Sequence, residues 1–289
     1  METRRYAGHG GLSLAAVVGG DPAAPPVILT HGAGQTRHSW RRAARELVKD
    51  GFHVIALDHR GHGDSDWSPD GDYSLDAIAG DIRAVARTLA QPPALVGASL
   101  GGAASLIALG ETPAGETPLA ASALILVDVV ARMSSSGVSR IREFMDAAPA
   151  GFATLEEAAD AIASYLPHRP RPSSLDGLRK NLRLRDDGRW YWHWDPAYIT
   201  SRSHAAGSLG DRMESAAPNV RCPTLLVRGS RSELVDAEGV RHLLDFLPHG
   251  QAVDVGGAHH MVVGDQNDAF NTVIEDFLGR CLRPEFQGA

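Results

Sequence analysis

With 289 residues, 43% of them hydrophobic, the chain is long enough to bury a sizeable core. Its formal net charge of −7, with the basic residues scattered, argues against nucleic acid or an anionic membrane as a main partner. Cys222 and Cys281 are the only cysteines, so no disulfide framework is indicated and a reducing cytoplasm is the natural setting.

Met1-Glu2-Thr3-Arg4-Arg5-Tyr6 runs into Gly8 to Gly11 without a continuous apolar stretch, so neither a signal peptide nor a spanning helix is expected, and the protein should be soluble. The apolar run Val27-Ile28-Leu29 reads as a strand ending in Thr30-His31-Gly32-Ala33. A helical pattern follows over Trp40 to Lys49. Val54-Ile55-Ala56-Leu57 is a second strand and opens into Asp58-His59-Arg60-Gly61-His62-Gly63-Asp64-Ser65. Aspartate and glycine suit tight turns and arginine can bridge several carbonyls, so Asp58, Arg60 and Asp64 predict a hydrogen-bonded loop at the upper edge of a sheet. From Ser74 to Ala90 the apolar positions Leu75, Ile78, Ile82, Val85 and Leu89 share a helical face, with Ser74 placed to cap its start.

Ala94-Leu95-Val96 leads directly into Gly97-Ala98-Ser99-Leu100-Gly101, and the small-residue stretch Gly102 to Leu109 follows. Strand, tight turn and helix in that order push the serine out of the sheet edge, and the flanking glycines leave room where a Cβ would collide. Ser99 is therefore the candidate nucleophile. A serine hydroxyl is weakly nucleophilic at neutral pH and needs a histidine to take its proton and a carboxylate to orient that histidine. Far along the chain, Val253-Asp254-Val255-Gly256-Gly257-Ala258-His259-His260-Met261 is an apolar strand entering a glycine turn with two adjacent histidines, one of which fits the base.

Between these motifs, Glu111 to Leu119 carries two prolines and reads as a loop, and Ala123 to Val127 is a strand ending at Asp128. From about Met133 to Ala217 strand signals give way to helical stretches, notably Val138 to Ala147 and Leu155 to Tyr165. Leu155, Ala158, Ala159, Ile162 and Leu166 share a face there, and Pro167 to Pro172 must be extended because proline removes donors and blocks helix. Trp190-Tyr191-Trp192-His193-Trp194 after the turn Asp186-Asp187-Gly188 holds three of the five tryptophans; most are expected to join this segment to the core. Strand character resumes at Thr224 to Gly229, followed by Ser230-Arg231-Ser232-Glu233-Leu234-Val235-Asp236.

Four of these segments, at Val27–Ala33, Val54–Ser65, Gly97–Gly101 and Gly257–Met261, resemble the α/β-hydrolase family in its serine-triad branch with a helical cap, which includes esterases, lactonases, cofactor-free haloperoxidase-like enzymes and carbon–carbon bond hydrolases. The resemblance spans nearly the whole chain. It implies an α/β fold with a mostly parallel central sheet, helices on both faces and an inserted helical cap, the core comprising 1–130 and 218–289 and the cap 131–217. Family members place one small residue before a histidine followed by a hydrophobic residue, which implies His260 rather than His259 as the base. For the acid it implies Glu233 in a position where the family generally has aspartate, with Asp128 as the alternative; Asp236 is a third carboxylate that could instead cap a helix starting near Ala237. The amides of Ala33 and Leu100 are implied as the oxyanion hole. His38 and Trp40, after the oxyanion loop, and Trp192 in the cap are candidates for the pocket border.

The chemistry implied is hydrolysis of a carboxylic ester or lactone of a small, largely apolar molecule through an acyl-enzyme on Ser99, without cofactor. Metal binding by His31, His59 and His62 is not expected, since no acid or cysteine stands beside them at ligand spacing. Carbon–carbon bond hydrolysis, peracid formation and catalytically quiet binding of a small molecule use the same scaffold and stay open. Epoxide hydrolases and haloalkane dehalogenases carry aspartate where Ser99 stands and are set aside. Hydroxynitrile lyases need a pocket lysine, and only Lys49 and Lys180 exist.

Overall fold

The strongest apolar runs of the sequence form the middle of one eight-stranded sheet in the computed structural model, which describes residues 1–167, 175, 177–201, 209–258 and 268–283. Strands β1 (Glu2–Ala7), β2 (Ser13–Gly19), β3 (Pro26–Thr30), β4 (His53–Leu57), β5 (Ala94–Ala98), β6 (Ala123–Val127), β9 (Thr224–Gly229) and β10 (Gly250–Val255) lie in the order β1-β2-β4-β3-β5-β6-β9-β10. The pairs β1/β2 and β2/β4 are antiparallel and all the others parallel. Every residue of β3, β4, β5 and β6 is buried, as strands covered on both faces must be.

Alternation along each strand sorts these side chains into two cores. Ile28, Ile55, Leu95, Leu124 and Leu226 pack with helices α2 (Leu75–Ala86) and α3 (Leu100–Gly110) on one face. Val27, Leu29, Val54, Val96 and Ile125 pack on the other with α1 (Arg41–Lys49) and α9 (Asp268–Leu282) through Leu47, Phe270, Ile274 and Phe277. Ser74 does cap α2, its side chain accepting from the Ala77 N–H at 3.2 Å. That helix ends at Ala86 rather than Ala90, because Thr88 and Leu89 turn back onto the carbonyls of Val85 and Ala86 in a tighter last turn and Pro92 and Pro93 follow. Asp236 caps α8 (Ala237–Leu244), accepting from the Gly239 N–H at 2.7 Å.

Between β6 and β9 lie α4 (Ser135–Asp146), α5 (Leu155–Tyr165), α6 (Pro196–Ser201) and α7 (Leu209–Ala216). The inserted segment is not wholly helical: β7 (Leu182–Leu184) and β8 (Trp190–Trp192) form an antiparallel hairpin. Strands of three residues are too short to carry a periodic signal, and only the Asp186-Asp187-Gly188 turn between them, with Gly188 at φ +76°, marked the reversal. Helix α7 packs against α3, where Gly110 allows close approach of the Ala216 backbone. Of the expected extended stretch Pro167 to Pro172, only Pro167 is among the described residues. Among those residues no helix is long and apolar enough to cross a membrane.

In chain order the sheet grows from β3 to β4 on one side and then crosses to β5 on the other. The loops leaving β3 and β5 therefore diverge, and a crevice opens at the strands' carboxyl ends, where open parallel sheets bind ligands.

Candidate active site

Ser99 stands at that crevice. Its φ of 47° and ψ of −111° place it in a region L-residues avoid, at a cost of about 1–3 kcal/mol. Packing around the turn enforces it. The Ser99 N–H donates to the Val127 carbonyl at 2.9 Å, a Cβ on Gly97 would collide with the backbone of Gly101 and Gly102, and one on Gly101 would lie 2.6 Å from the Thr30 carbonyl oxygen. Only glycine lets the first turn of α3 approach β3 and β5 this closely.

Across the crevice, Gly32 faces Ser99 so closely that a Cβ there would sit 3.4 Å from the serine Cβ. The Gln35 side chain closes the turn, accepting from the Gly32 N–H at 3.1 Å while the Gln35 N–H donates to the Gly32 carbonyl at 3.1 Å. No hydrogen bond within the described residues engages the N–H of Ala33 or of Leu100. Leu100 opens the 11-residue helix α3, so its N–H lies at the positive end of that helix. Both N–H groups are thus open among the described residues.

Beneath this loop lies a network of imidazoles. His31, His59 and His62 are buried, with ring centroids of His31 and His59 4.5 Å apart and of His31 and His62 5.3 Å apart. Both ring nitrogens of His31 and one of His59 have backbone partners. His31 Nδ1 donates to the Gly32 carbonyl and its Nε2 accepts from the His59 N–H, while His59 Nε2 donates to the His31 carbonyl. Burial holds His31 well below the usual imidazole range, so the ring is neutral. Among the described residues no group of three or more His, Cys, Asp or Glu is arranged to hold a metal ion.

The Asp58 to Ser65 loop is hydrogen-bonded, with partners the sequence did not indicate. Asp58 accepts from the Arg37 N–H at 2.6 Å, from the Arg37 guanidinium and from the Asp64 N–H at 2.9 Å, and Arg37 also reaches Asp64 at 2.6 Å. Arg60 leaves the loop to make two 2.7 Å hydrogen bonds to Asp81 on α2.

Both carboxylate candidates stand beyond the ends of β6 and β9. Asp128 is buried with φ 49° and accepts from the Gly229 N–H at 3.2 Å and the Ser232 hydroxyl at 2.5 Å. Ser232 Oγ in turn accepts from the N–H groups of Leu234 and Val235, so Asp128 builds the turn on which the exposed Glu233 stands. That turn is tied to the chain leading to the histidine pair: Gly257 N–H donates to Ser230 Oγ at 2.8 Å, and Arg231 N–H to the Ala258 carbonyl at 2.8 Å. His259 and His260 themselves lie outside the described residues.

A cavity of about 60 Å³ adjoins Ser99, floored by Gly32 to Gln35 and Ala98 and roofed by Ile141, Phe144 and Met145 of α4 and Tyr165 of α5. None of the described lining side chains is charged. The roof escaped sequence reasoning, although the apolar spacing of Val138, Ile141, Phe144 and Met145 on one helical face was its available signal. The three residues expected at the border stand elsewhere. Trp40 is fully buried under the sheet beside Phe270, at a centroid distance of 6.3 Å, because it starts the helix that covers that face. Trp192 sits behind the roof, 5.3 Å from Phe144 and stacked on Trp194 at 5.0 Å, and so joins cap to core. His38 is half-buried in the helical turn Arg37–Trp40, outside the cavity wall.

The α/β hydrolase fold family matches the sequence over residues 25–266, and the chain belongs to that family. It is 32% identical to the esterase Rv0045c of Mycobacterium tuberculosis over 88% of this chain and 83% of that protein. It is also 28% identical to the 3-hydroxybutyrate-oligomer hydrolase of Cupriavidus necator over 83% of this chain and 84% of that protein. Among solved structures, E-2-(acetamidomethylene)succinate hydrolase superposes with a TM-score of 0.80 at 25% identity, covering 96% of this chain and 98% of that one. The M. tuberculosis esterase superposes with a TM-score of 0.74 at 28% identity, covering 96% and 91%.

Proposed function

We propose that the protein is a serine esterase acting on neutral esters with a short, apolar acyl group. The observation that carries this reading is the left-handed Ser99 at a helix start, lining a cavity together with Ala33, while the N–H groups of Ala33 and of Leu100, the residue after Ser99, stay open among the described residues. Ser99 Oγ attacks the ester carbonyl as its proton passes to His260, and the tetrahedral oxyanion is held by the two amides. The alcohol departs with that proton, water then attacks the acyl-enzyme with His260 again as base, and the acid and free Ser99 are released. Glu233 is the acid that orients His260, since its turn is bonded to residues 257 and 258, while Asp128 holds that turn in shape.

The small cavity, uncharged along its described lining, supports short acyl chains. Rv0045c is named an esterase, and the Cupriavidus relative is named for cleaving oligomers of a short hydroxy acid, which agrees with that reading. A succinate-type substrate such as that of the superposed hydrolase would bring carboxylates to a wall that holds no cation among the described residues.

The test is turnover of p-nitrophenyl esters from acetyl to decanoyl by the wild-type protein and Ser99→Ala. Wild type should prefer acetyl to butyryl, react stoichiometrically with a fluorophosphonate, and lose both properties in Ser99→Ala with the melting temperature unchanged. Retention of turnover in that variant would remove Ser99 from the mechanism. An inert wild type that leaves the fluorophosphonate unreacted would point to a quiet binder.

A further inference from the structure

The cap contributes a side chain to the oxyanion loop. His193, between β8 and α6, is fully buried, and its Nδ1 accepts from the Gly63 N–H at 2.8 Å while its Nε2 faces the Gly34 carbonyl at 3.3 Å. With Nδ1 an acceptor, the ring proton of neutral His193 lies on Nε2 and is donated to Gly34. On the other side of the same residue, His62 Nε2 accepts from the Gly34 N–H at 3.2 Å, and its Nδ1 donates to the Arg60 carbonyl at 3.1 Å. Two neutral imidazoles of opposite tautomer therefore hold both polar groups of one glycine. Gly34 has φ +70° and directly follows Ala33, so it has few other means of fixing its conformation.

We propose that His193 is a positioning residue of the oxyanion hole, acting through Gly34 to hold the Ala33 amide and making the hole dependent on the seating of the cap. The proposal rests on the esterase reading above. The segment that carries His193 is seated firmly. Asp195 N–H donates to the Gly61 carbonyl at 2.9 Å, the Asp195 carboxylate accepts from the Tyr73 hydroxyl at 2.5 Å, and Arg183 donates to the Gly63 carbonyl. Trp192, one residue earlier, packs on Phe144 of the cavity roof, and Met145 lies 3.3 Å from where a Gly34 Cβ would project. Cap strand, roof and oxyanion loop thus share one set of contacts. Burial pushes His193 down to about 3, so the ring keeps its acceptor nitrogen throughout the neutral range.

The experiment compares His193→Ala, His193→Phe and His193→Gln with wild type on p-nitrophenyl butyrate, and measures inhibition by a trifluoromethyl ketone, whose Ser99 adduct carries the oxyanion. Phenylalanine keeps the volume without either hydrogen bond, whereas glutamine supplies an N–H for Gly34 and an oxygen for the Gly63 N–H. His193→Ala and His193→Phe should lose about tenfold or more in kcat with KM within about threefold, and should bind the ketone correspondingly more weakly, a smaller effect than deleting a hole donor outright. His193→Gln should recover most of the loss. Folded Ala or Phe variants with wild-type kcat and ketone affinity would overturn the proposal, as would a Gln variant no better than Phe. Should the variants not fold, 15N spectra of the wild-type histidines decide: His193 must carry its proton on Nε2 and His62 on Nδ1, and the reverse assignment refutes the clamp. Failure of the esterase reading would show in the wild type itself, whereas failure of the clamp shows in the comparison of variants or in the ring tautomers.

Discussion

Gly101→Ala separates the catalytic geometry from the stability of the fold. A Cβ at this position would lie 2.6 Å from the Thr30 carbonyl oxygen and 2.8 Å from that of His31, both backbone atoms that cannot swing aside. Restoring an ordinary contact of 3.4 Å requires α3 and the end of β3 to part by about 0.8 Å, the difference of 3.4 and 2.6. Those two elements carry the two proposed oxyanion donors, Leu100 on α3 and Ala33 just past His31, so the displacement falls on the hole itself. A misplacement on the order of 1 Å costs about a hundredfold in rate. Stability should change far less, because strain of about 1–3 kcal/mol is partly offset by the roughly 1 kcal/mol that alanine gains over glycine inside a helix. The assay is kcat and KM on p-nitrophenyl butyrate beside a urea unfolding curve, with Gly279→Ala as control, since a Cβ there meets nothing within 4 Å. The expectation is kcat down by about two orders of magnitude with a net loss of about 0–2 kcal/mol, and wild-type kinetics in the control. A Gly101→Ala enzyme within threefold of wild-type kcat would show that the spacing of α3 and β3 does not set the hole.

Two further outcomes concern stability. His31 and His193 both titrate below the normal range because they are buried, His193 at about 3. Above about pH 6.5 each ring is neutral in folded and unfolded chains alike; below it the unfolded chain binds protons that the folded one refuses, so stability falls by about 1.4 kcal/mol per pH unit for each histidine. Urea midpoints should therefore drop steadily from pH 7 to pH 4.5, and identical midpoints at pH 7.5 and 5 would contradict the neutral assignment. The second concerns the buried Arg60–Asp81 pair, in which both residues are 2% exposed and Asp81 also accepts from the His9 N–H at 2.8 Å. Asp81→Leu leaves the buried Arg60 charge without its counter-ion, with only the Asp72 and His9 carbonyls as acceptors, and should cost about 3–5 kcal/mol, while Arg60→Met with Asp81→Leu should regain most of it. A single variant as stable as wild type would show that those carbonyls suffice for the Arg60 charge without a carboxylate.

The sheet was legible because each of its central strands is a short apolar run bounded by glycine, proline or a charged turn. Burial on both faces demands such composition and no distant partner is needed to recognise it. The turn at Ser99, the proposed nucleophile, was legible for a related reason: Gly97, Ser99 and Gly101 record in sequence a local steric requirement of a strand meeting a helix. Ser74 and Asp236 announced their helices by the same kind of local chemistry, a side-chain oxygen beside unsatisfied amides.

Features whose cause lies within a few residues were thus readable from the chain alone: strands, caps, the elbow and the family they belong to. Tertiary structure alone decided which partners meet across the chain. It gave Asp58 to Arg37 and Arg60 to Asp81, set Asp128 to shaping the turn beneath Glu233, put Trp40 under the sheet, Trp192 behind the cavity roof and α4 over the cavity, and brought His193 from the cap to Gly34. Spacing along the chain carries no record of these meetings, because they depend on how the inserted segment seats on the sheet, and that seating arises from many weak contacts summed over a surface rather than from any one motif.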